Sequence, residues 1–243
     1  MQGYRPPGWD GPKLVRPAQI DSPTREPGLN YERLYNYRFR SVDQDGRIAV
    51  WGEIGPHVHE LMDRPQKVLD PAAGRGEFIG AVPAKETWAV DAVEYEEANH
   101  KPDTNVIVSS IQAAELPQNH FDGVFVSNFL EHLPTQDAIA DLLEKMRDTM
   151  ESGGRIAIMG PNYRYCSGEY WDFADHHVAL THVAIEEHLY AAGFEIVRTI
   201  PQYLPYSFRG RHPTAPWLVR LYLHTPLAWR FLGKQFLVIG RKP

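Results

Sequence analysis

The chain has 243 residues, 43% apolar and 23% charged, with a single cysteine and a net charge of −6. That length suits one domain with elaborations and can bury a substantial core; a lone Cys166 excludes an intramolecular disulfide and fits a cytoplasmic setting. Residues 61–195 carry 9 Lys+Arg against 23 Asp+Glu, while residues 196–243 carry 8 Lys+Arg and no acid; the acidic middle argues against a nucleic-acid substrate, and the basic tail stands apart from it.

Residues 1–30 are rich in Pro, Gly and charge and read as an extended or disordered arm. Met1 to Pro7 hold no apolar signal core, and no run approaches the roughly 20 apolar residues that cross a bilayer. Over 31–62, Tyr31, Leu34, Tyr35 and Arg38 recur at helical spacing, as do Val50, Ile54, Val58 and Leu61. Two helices are expected to form a cap there, with Pro56 removing one hydrogen bond from the second. Strands and helices then alternate. Apolar runs at 67–70, 87–91, 105–109, 121–127 and 155–159 read as strands buried on both faces of a mainly parallel sheet. Between the last two, Ala138, Leu142, Leu143, Met146 and Met150 make a helical stripe that Gly153-Gly154 is expected to stop. A further helix runs from Thr181, an N-cap residue, to Ala192, with Gly193 closing it. Residues 194–197 and 236–239 supply the sixth and seventh strands; the stretch between them is too long for a hairpin and predicts a helical insertion at 202–235. The order predicts one α/β domain over 31–243, built on a doubly wound, seven-stranded, mostly parallel sheet of Rossmann-like form.

The segment from Val68 to Phe78 carries the most chemistry. Small residues at Ala72, Ala73, Gly74 and Gly76 let backbone pass close to a ligand, and glycine permits positive φ. Asp91, at the end of the second strand, can accept hydrogen bonds from both hydroxyls of a ribose. A nicotinamide cofactor would share this geometry, but its loop reads Gly-x-Gly-x-x-Gly. Here the first glycine is replaced, and Asp70 ends the first strand. A carboxylate sits badly beside a pyrophosphate and well beside the ammonium group of an amino acid, which favours S-adenosylmethionine.

From about residue 67 to residue 200 these features resemble the class I S-adenosylmethionine-dependent methyltransferase superfamily. Asp70-x-Ala72-x-Gly74-x-Gly76 resembles its first motif, with Ala72 for the usual glycine. The resemblance implies that Asp91, with Ala92 beside it, holds the ribose. Ser110-Ile111 falls where the family places an acid and an adenine-edge residue; the acid is missing. Residues 121–133, ending Ser127-Asn128-Phe129-Leu130-Glu131-His132-Leu133, resemble the fourth motif, which implies Asn128 and Phe129 beside the methionine part. The implied product is S-adenosylhomocysteine.

The acceptor site should follow the ends of the fourth and fifth strands. His132 is a candidate base, its pKa ordinarily near neutrality, or else a helix residue packing near the cofactor. Tyr163 and Tyr165 line an acceptor pocket or cover it. Asp172, Asp175, His176, His177 and His182 crowd eleven residues; their spacing matches no metal motif, so no metal is assigned, and His176 and His177 are the favoured catalytic pair. The basic, aromatic tail, with Arg209 as a substrate contact, reads as a lid, a surface for an anionic lipid headgroup, or a plain insertion. Loosely, the tail resembles bacterial methyltransferases of polysaccharide or glycolipid assembly. The reading is O-methylation of a small molecule, a sugar or lipid-linked sugar included, with no nucleic-acid partner and with peripheral membrane contact through the tail. The alternatives are N-methylation of a metabolite, a nicotinamide oxidoreductase, and a non-catalytic binder.

Overall fold

The structure, a computed structural model, describes residues 29–30, 33–34, 37–38, 40, 43–95, 98–206 and 215–243. The arm expected over 1–30 therefore falls almost wholly outside the described residues, as do Tyr31, Tyr35 and Arg209. Seven strands form one sheet: β1 (Lys67–Asp70), β2 (Glu86–Asp91), β3 (Asn105–Val108), β4 (Phe121–Ser127), β5 (Met150–Pro161), β6 (Glu195–Ile200) and β7 (Gln235–Arg241). Their spatial order is β3-β2-β1-β4-β5-β7-β6. β1 to β5 run parallel, and β7 is antiparallel to both its neighbours. The strand order reverses between β1 and β4, and the carboxyl ends of strands at such a reversal open a ligand crevice.

The α-helices are α1 (Gln44–Leu61), α2 (Glu77–Ala81), α3 (Gln136–Thr149), α4 (Tyr163–Tyr170), α5 (His182–Ala191), α6 (Pro216–Leu223) and α7 (Pro226–Leu232), with a 3-10 turn at Leu130–His132. Alternate strand residues face opposite sides, and the sheet buries both. One face packs Leu69, Val124, Val126, Ile156 and Ile158 against Ile139, Leu142, Leu143 and Met146 of α3 and Ile185 and Leu189 of α5. The other packs Val68, Ala89, Phe125 and Ala157 against Trp51, Ile54 and Val58 of α1 and Phe78 of α2. Each fully buried side chain of this kind stabilises the fold by about 1.5–3 kcal/mol before entropy is subtracted. Asp43 caps α1 by accepting the Gly46 N–H at 3.1 Å, and the helix runs unbroken through Pro56.

Two expectations change. The glycine pair does not stop α3. The helix ends at Thr149, and Met150 already begins β5 in extended conformation, because the chain pairs with Phe121 there. Gly153, with φ of 85°, instead turns the chain within the early part of β5. Nor are all strands buried on both faces. In β3 only Ile107 is buried, and β6 exposes Ile196 and Val197, since both strands lie at sheet edges. Thr181, by contrast, caps α5 by accepting the Ala184 N–H at 3.2 Å, and Gly193 follows it with φ of 84°.

The stretch before β7 holds two helices: α6 lies against α1, and α7 packs on α6. Arg220 forks onto Glu53 of α1 at 2.7 and 2.8 Å, Tyr222 donates to the Tyr203 carbonyl at 2.6 Å, and Trp229 is buried. No described helix is long and apolar enough to cross a membrane.

Candidate active site

The crevice begins with a backbone turn. After β1 the chain passes through Gly74 and Gly76 with φ of 55° and 79°, left-handed values that side chains rarely adopt. The turn is closed by hydrogen bonds from the Ala73 N–H to the Val90 carbonyl and from the Gly76 N–H to the Ala73 carbonyl, at 3.0 and 2.8 Å. Gly76 also admits a neighbour: a Cβ there would stand 2.7 Å from Cδ2 of His100. The left-handed turn and the His100 approach both explain why glycine occupies that position.

Beside the turn lies a cavity of about 170 Å³, lined by Gly74, Asp91, Val93, Tyr95, His100 and Val108 among others. Asp91 ends β2 facing it. One carboxylate oxygen accepts the Gly74 N–H at 2.7 Å and the other the Val93 N–H at 2.9 Å. Each oxygen keeps a second lone pair, so the group can still accept from two hydroxyls. Burial raises the Asp91 carboxyl, and the backbone donors oppose it. Asp70, at the end of β1, is buried and accepts the Ala72 N–H at 3.2 Å. Burial pushes its carboxyl up to about 8, and the charges felt there, Asp91 and Glu77, are themselves carboxylates.

Not every expected cofactor residue lines the cavity. Ala72 takes part through its backbone, and Ala92 is exposed beyond β2. Ser110 is exposed and its hydroxyl accepts the Ala113 N–H at 3.3 Å, while Ile111 is buried in the sheet core. The wall is made instead by Val106, Ile107 and Val108, two to five residues earlier in the chain. Tyr95 and His100, in the loop after β2, were not anticipated; that loop has no periodicity or motif to mark them. Asn128 sits at the end of β4 with φ of 47°, its N–H donating to the Met159 carbonyl at 2.8 Å, and Phe129 packs partly buried on the core.

A second polar group lies past the ends of β4 and β5. Glu131 and His132 occupy the 3-10 turn after β4, and Asp175 and His176 the loop after α4. Nδ1 of His132 bonds the Asp175 carbonyl oxygen at 2.9 Å and stands 3.3 Å from its carboxylate; Nε2 faces Glu131 at 4.0 Å. Arg38 forks onto the Asp175 carboxylate, which is fully buried. Burial alone would raise Asp175, but the Arg38 hydrogen bond and the His132 charge hold it below the usual range. Glu131 is buried and its carboxyl is raised for that reason. The His176 ring packs against Phe173, Tyr170 and His132, and its Nδ1 is buried without a hydrogen-bond partner. The Tyr206 hydroxyl is likewise buried and unpaired, with its ring edge on Phe173.

Of the three histidines favoured as catalytic, the fold thus brings His132 and His176 together. His177 is exposed, and it joins the cluster only through its backbone N–H, which donates to the Glu131 carbonyl at 2.9 Å. His182 bonds the Asn162 side chain at 2.9 Å within the start of α5. Tyr163 packs edge-on against Tyr170, whereas Tyr165 is exposed and stacks on His182. Arg209 lies outside the described residues. The sequence places Arg38 in the cap helices and Asp175 in the loop cluster without assigning either a catalytic role, and Glu131 appears only within its motif; nothing in their local sequence tells that the three are buried together.

A family model described as a methyltransferase domain matches residues 47–199. The chain belongs to that family. It is an S-adenosylmethionine-dependent methyltransferase, and the left-handed glycines, the unsaturated Asp91 carboxylate and the cation-seeking Asp70 fit that methyl donor. No curated protein sequence matched the chain. Among solved structures, a SAM-dependent methyltransferase of Archaeoglobus fulgidus is similar at TM-score 0.58 and 19% identity, with 88% of this chain and 100% of that one covered. A possible histamine N-methyltransferase of Thermotoga maritima is similar at TM-score 0.59 and 16% identity, with 88% and 98% covered. The plantazolicin methyltransferase, in complex with a substrate analogue and S-adenosylhomocysteine, is similar at TM-score 0.56 and 14% identity, with 88% and 90% covered. Likeness at these identities establishes the shared fold.

Proposed function

We propose that the methyltransferase acts on a hydroxyl oxygen of a small-molecule acceptor, with a sugar as the first class to test. The observation that carries this reading is His132, held through Nδ1 by Asp175 with Nε2 4.0 Å from the Glu131 carboxylate. A hydroxyl acceptor must lose a proton as it is methylated, and an oriented neutral imidazole supplies the base. An amine that binds unprotonated would need no such group. Asp91 holds the donor's ribose hydroxyls, Asp70 its ammonium, and the backbone at Gly74 and Gly76 leaves room for the chain between them. When bound, S-adenosylmethionine supplies an electrophilic methyl: the acceptor oxygen's lone pair forms the new O–C bond as the S–C bond breaks, its electrons staying on sulfur. His132 takes the hydroxyl proton, and Asp175, charged and clamped by Arg38, stabilises the imidazolium that results.

Phe173, Tyr170 and Tyr206 pack around this cluster, and Tyr206 adds an unpaired hydroxyl among the described residues. Aromatic rings beside polar atoms suit a polyhydroxy acceptor. Trp217, Leu221, Leu227 and Phe231, exposed on α6 and α7, suit a membrane-proximal acceptor such as a lipid-linked sugar. The test is a methyl-transfer screen with radiolabelled donor over monosaccharides, nucleotide sugars and amines. Turnover on a sugar hydroxyl, lost in His132→Gln with donor binding intact, is the expected result. Turnover confined to amines and indifferent to His132 would overturn the reading.

A further inference from the structure

The cluster past β4 holds an arrangement that a lone base does not need. Among the described residues, Glu131, His132 and His176 each offer one ligand atom, all within 4.8 Å of one another. We propose that these three side chains form a binding site for one divalent cation of borderline hardness, such as zinc, manganese or cobalt(II). Two imidazoles and one carboxylate are a donor set such ions accept, with the remaining positions left for water or a substrate oxygen.

The surroundings support it. Nδ1 of His132 is occupied by Asp175, which leaves Nε2 as the free nitrogen and turns it toward Glu131. A ligating histidine held at its other nitrogen by a carboxylate or a backbone carbonyl is the usual arrangement around such ions. Nδ1 of His176 lies buried in a ring of aromatics without a hydrogen-bond partner among the described residues. Gly160, at the end of β5, lies against Glu131: a Cβ there would stand 3.5 Å from Oε2, so β5 backs the carboxylate. Charge also favours a cation. Glu131 and Asp175 bring two carboxylates, and the Arg38 guanidinium offsets one. Metal–ligand bonds of about 2.0–2.2 Å place the ligands of one ion roughly 3–3.5 Å apart, so the three must draw in by about 1 Å. His176 sits in the loop between α4 and α5, outside either helix.

The role of this site rests on the hydroxyl reading above; the binding itself does not. In the cation-bound form His132 is a ligand and not the base: the ion would lower the pKa of a coordinated hydroxyl, whose proton would pass to solvent, and the loss of turnover in His132→Gln would then report loss of the ion. The acceptor then has an oxygen free to coordinate, which adjacent hydroxyls on a sugar provide.

The experiment is titration of untagged, chelator-treated full-length protein with cobalt(II), read by visible absorption, for the wild type and for His176→Ala, Glu131→Gln and His177→Ala. Binding of S-adenosylmethionine by calorimetry reports in parallel whether each variant is folded. The expected result is one cobalt per chain in the wild type and His177→Ala, and at least a tenfold loss of affinity in His176→Ala or Glu131→Gln, whichever keeps donor binding. No cobalt binding by a wild type that still binds donor would overturn the metal site and leave the methyltransferase reading standing. So would cobalt binding equal in all four proteins, which would place the ion elsewhere. If cobalt binds as expected and no hydroxyl acceptor is ever methylated, the functional reading fails alone.

Discussion

At the β1–β2 end of the crevice the partners are close in sequence: the Gly74 N–H and the Asp91 carboxylate that accepts it are 17 positions apart. Past β4 and β5 they are distant: Arg38 and the Asp175 carboxylate it clamps are 137 positions apart. The near site is made largely of backbone, with two left-handed glycines and carboxylates at the ends of neighbouring strands. The far site is made of side chains that meet only once three separate segments have packed. On the proposed function, a donor common to many enzymes would be served by the local construction, and an acceptor particular to one enzyme by the distant one. Breaking each end should therefore give different kinetic signatures.

The largest effect is expected at the far end. His132→Gln removes the imidazole while preserving size and polarity, and should lower kcat by about 10²–10⁴-fold, the usual contribution of an acid–base group. Affinity for S-adenosylmethionine, measured by calorimetry, should stay within a factor of about two, since His132 lies outside the cavity beside Asp91. A parallel loss of donor affinity would show that the two ends are not separable.

At the near end, Asp91→Ala removes an acceptor of two backbone hydrogen bonds and the group proposed to hold the ribose hydroxyls. Hydrogen bonds to a charged group contribute about 1.5–3 kcal/mol each, so donor affinity should fall about 100-fold or more. The residual kcat at saturating donor should fall far less than in His132→Gln. That split between affinity and turnover is the comparison in its sharpest form.

Asp70 ties stability to donor binding. Its carboxyl titrates near 8 in the fold, against about 3.9 in an unfolded chain. Between those values the unfolded state has lost a proton that the folded state retains. Stability of the donor-free protein therefore falls as pH rises from about 4 to 8, by at most about 1.4 kcal/mol per unit from this group. Asp70→Asn should remove that slope and raise Tm at pH 7. The donor's ammonium needs the ionised carboxylate, so wild-type affinity should climb up to about tenfold per unit between pH 6 and 8 with proton release, and the variant should be weak and flat. A wild-type affinity independent of pH would mean that Asp70 is already charged.

The sequence conveyed these ends unequally, for the same reason. Strand runs at 67–70 and 121–127 coincide with β1 and β4, because parallel strands buried on both faces are continuous apolar runs. Asp70, Gly74 and Asp91 were legible because a turn that needs glycine, flanked by strand-end acids, is written in consecutive residues. Ser110 and Ile111 do not line the cavity, and Val106 to Val108 do: register places Val108 opposite Asp91, and register depends on pairing, which no single segment records. Glu131 was quoted in its motif yet passed over, since its burial comes from β5 and from the loop after α4. His176 and His177 are preferred over His182 because Thr181 marks a helix start, but that signal does not separate the two: His176 packs into the cluster and His177 is exposed. The glycine pair after α3 showed a second limit: pairing with Phe121 ends the helix before any local stop signal is reached.

The smallest effect should come from an ion pair that resembles Arg38–Asp175 in chemistry and differs in burial. Lys234, just before β7, meets Glu169 of α4 at 2.6 Å, with both side chains largely in solvent. Water screens such a pair, and holding two long side chains in place costs entropy, so exposed pairs contribute about 0–1 kcal/mol. Lys234→Ala should lower Tm by no more than about 2–4 °C, the shift that 1 kcal/mol produces in a chain of this size. Donor affinity and kcat should be unchanged. Raising ionic strength should erase even that difference, since exposed charges are screened over roughly 8–10 Å. The Arg38–Asp175 pair should resist the same salt, because Asp175 is fully buried and water cannot replace the guanidinium. A Lys234→Ala protein with impaired turnover would instead mean that the start of β7 and α4 help to shape the acceptor site, and the boundary drawn between scaffold and far site would have to move outward to include them.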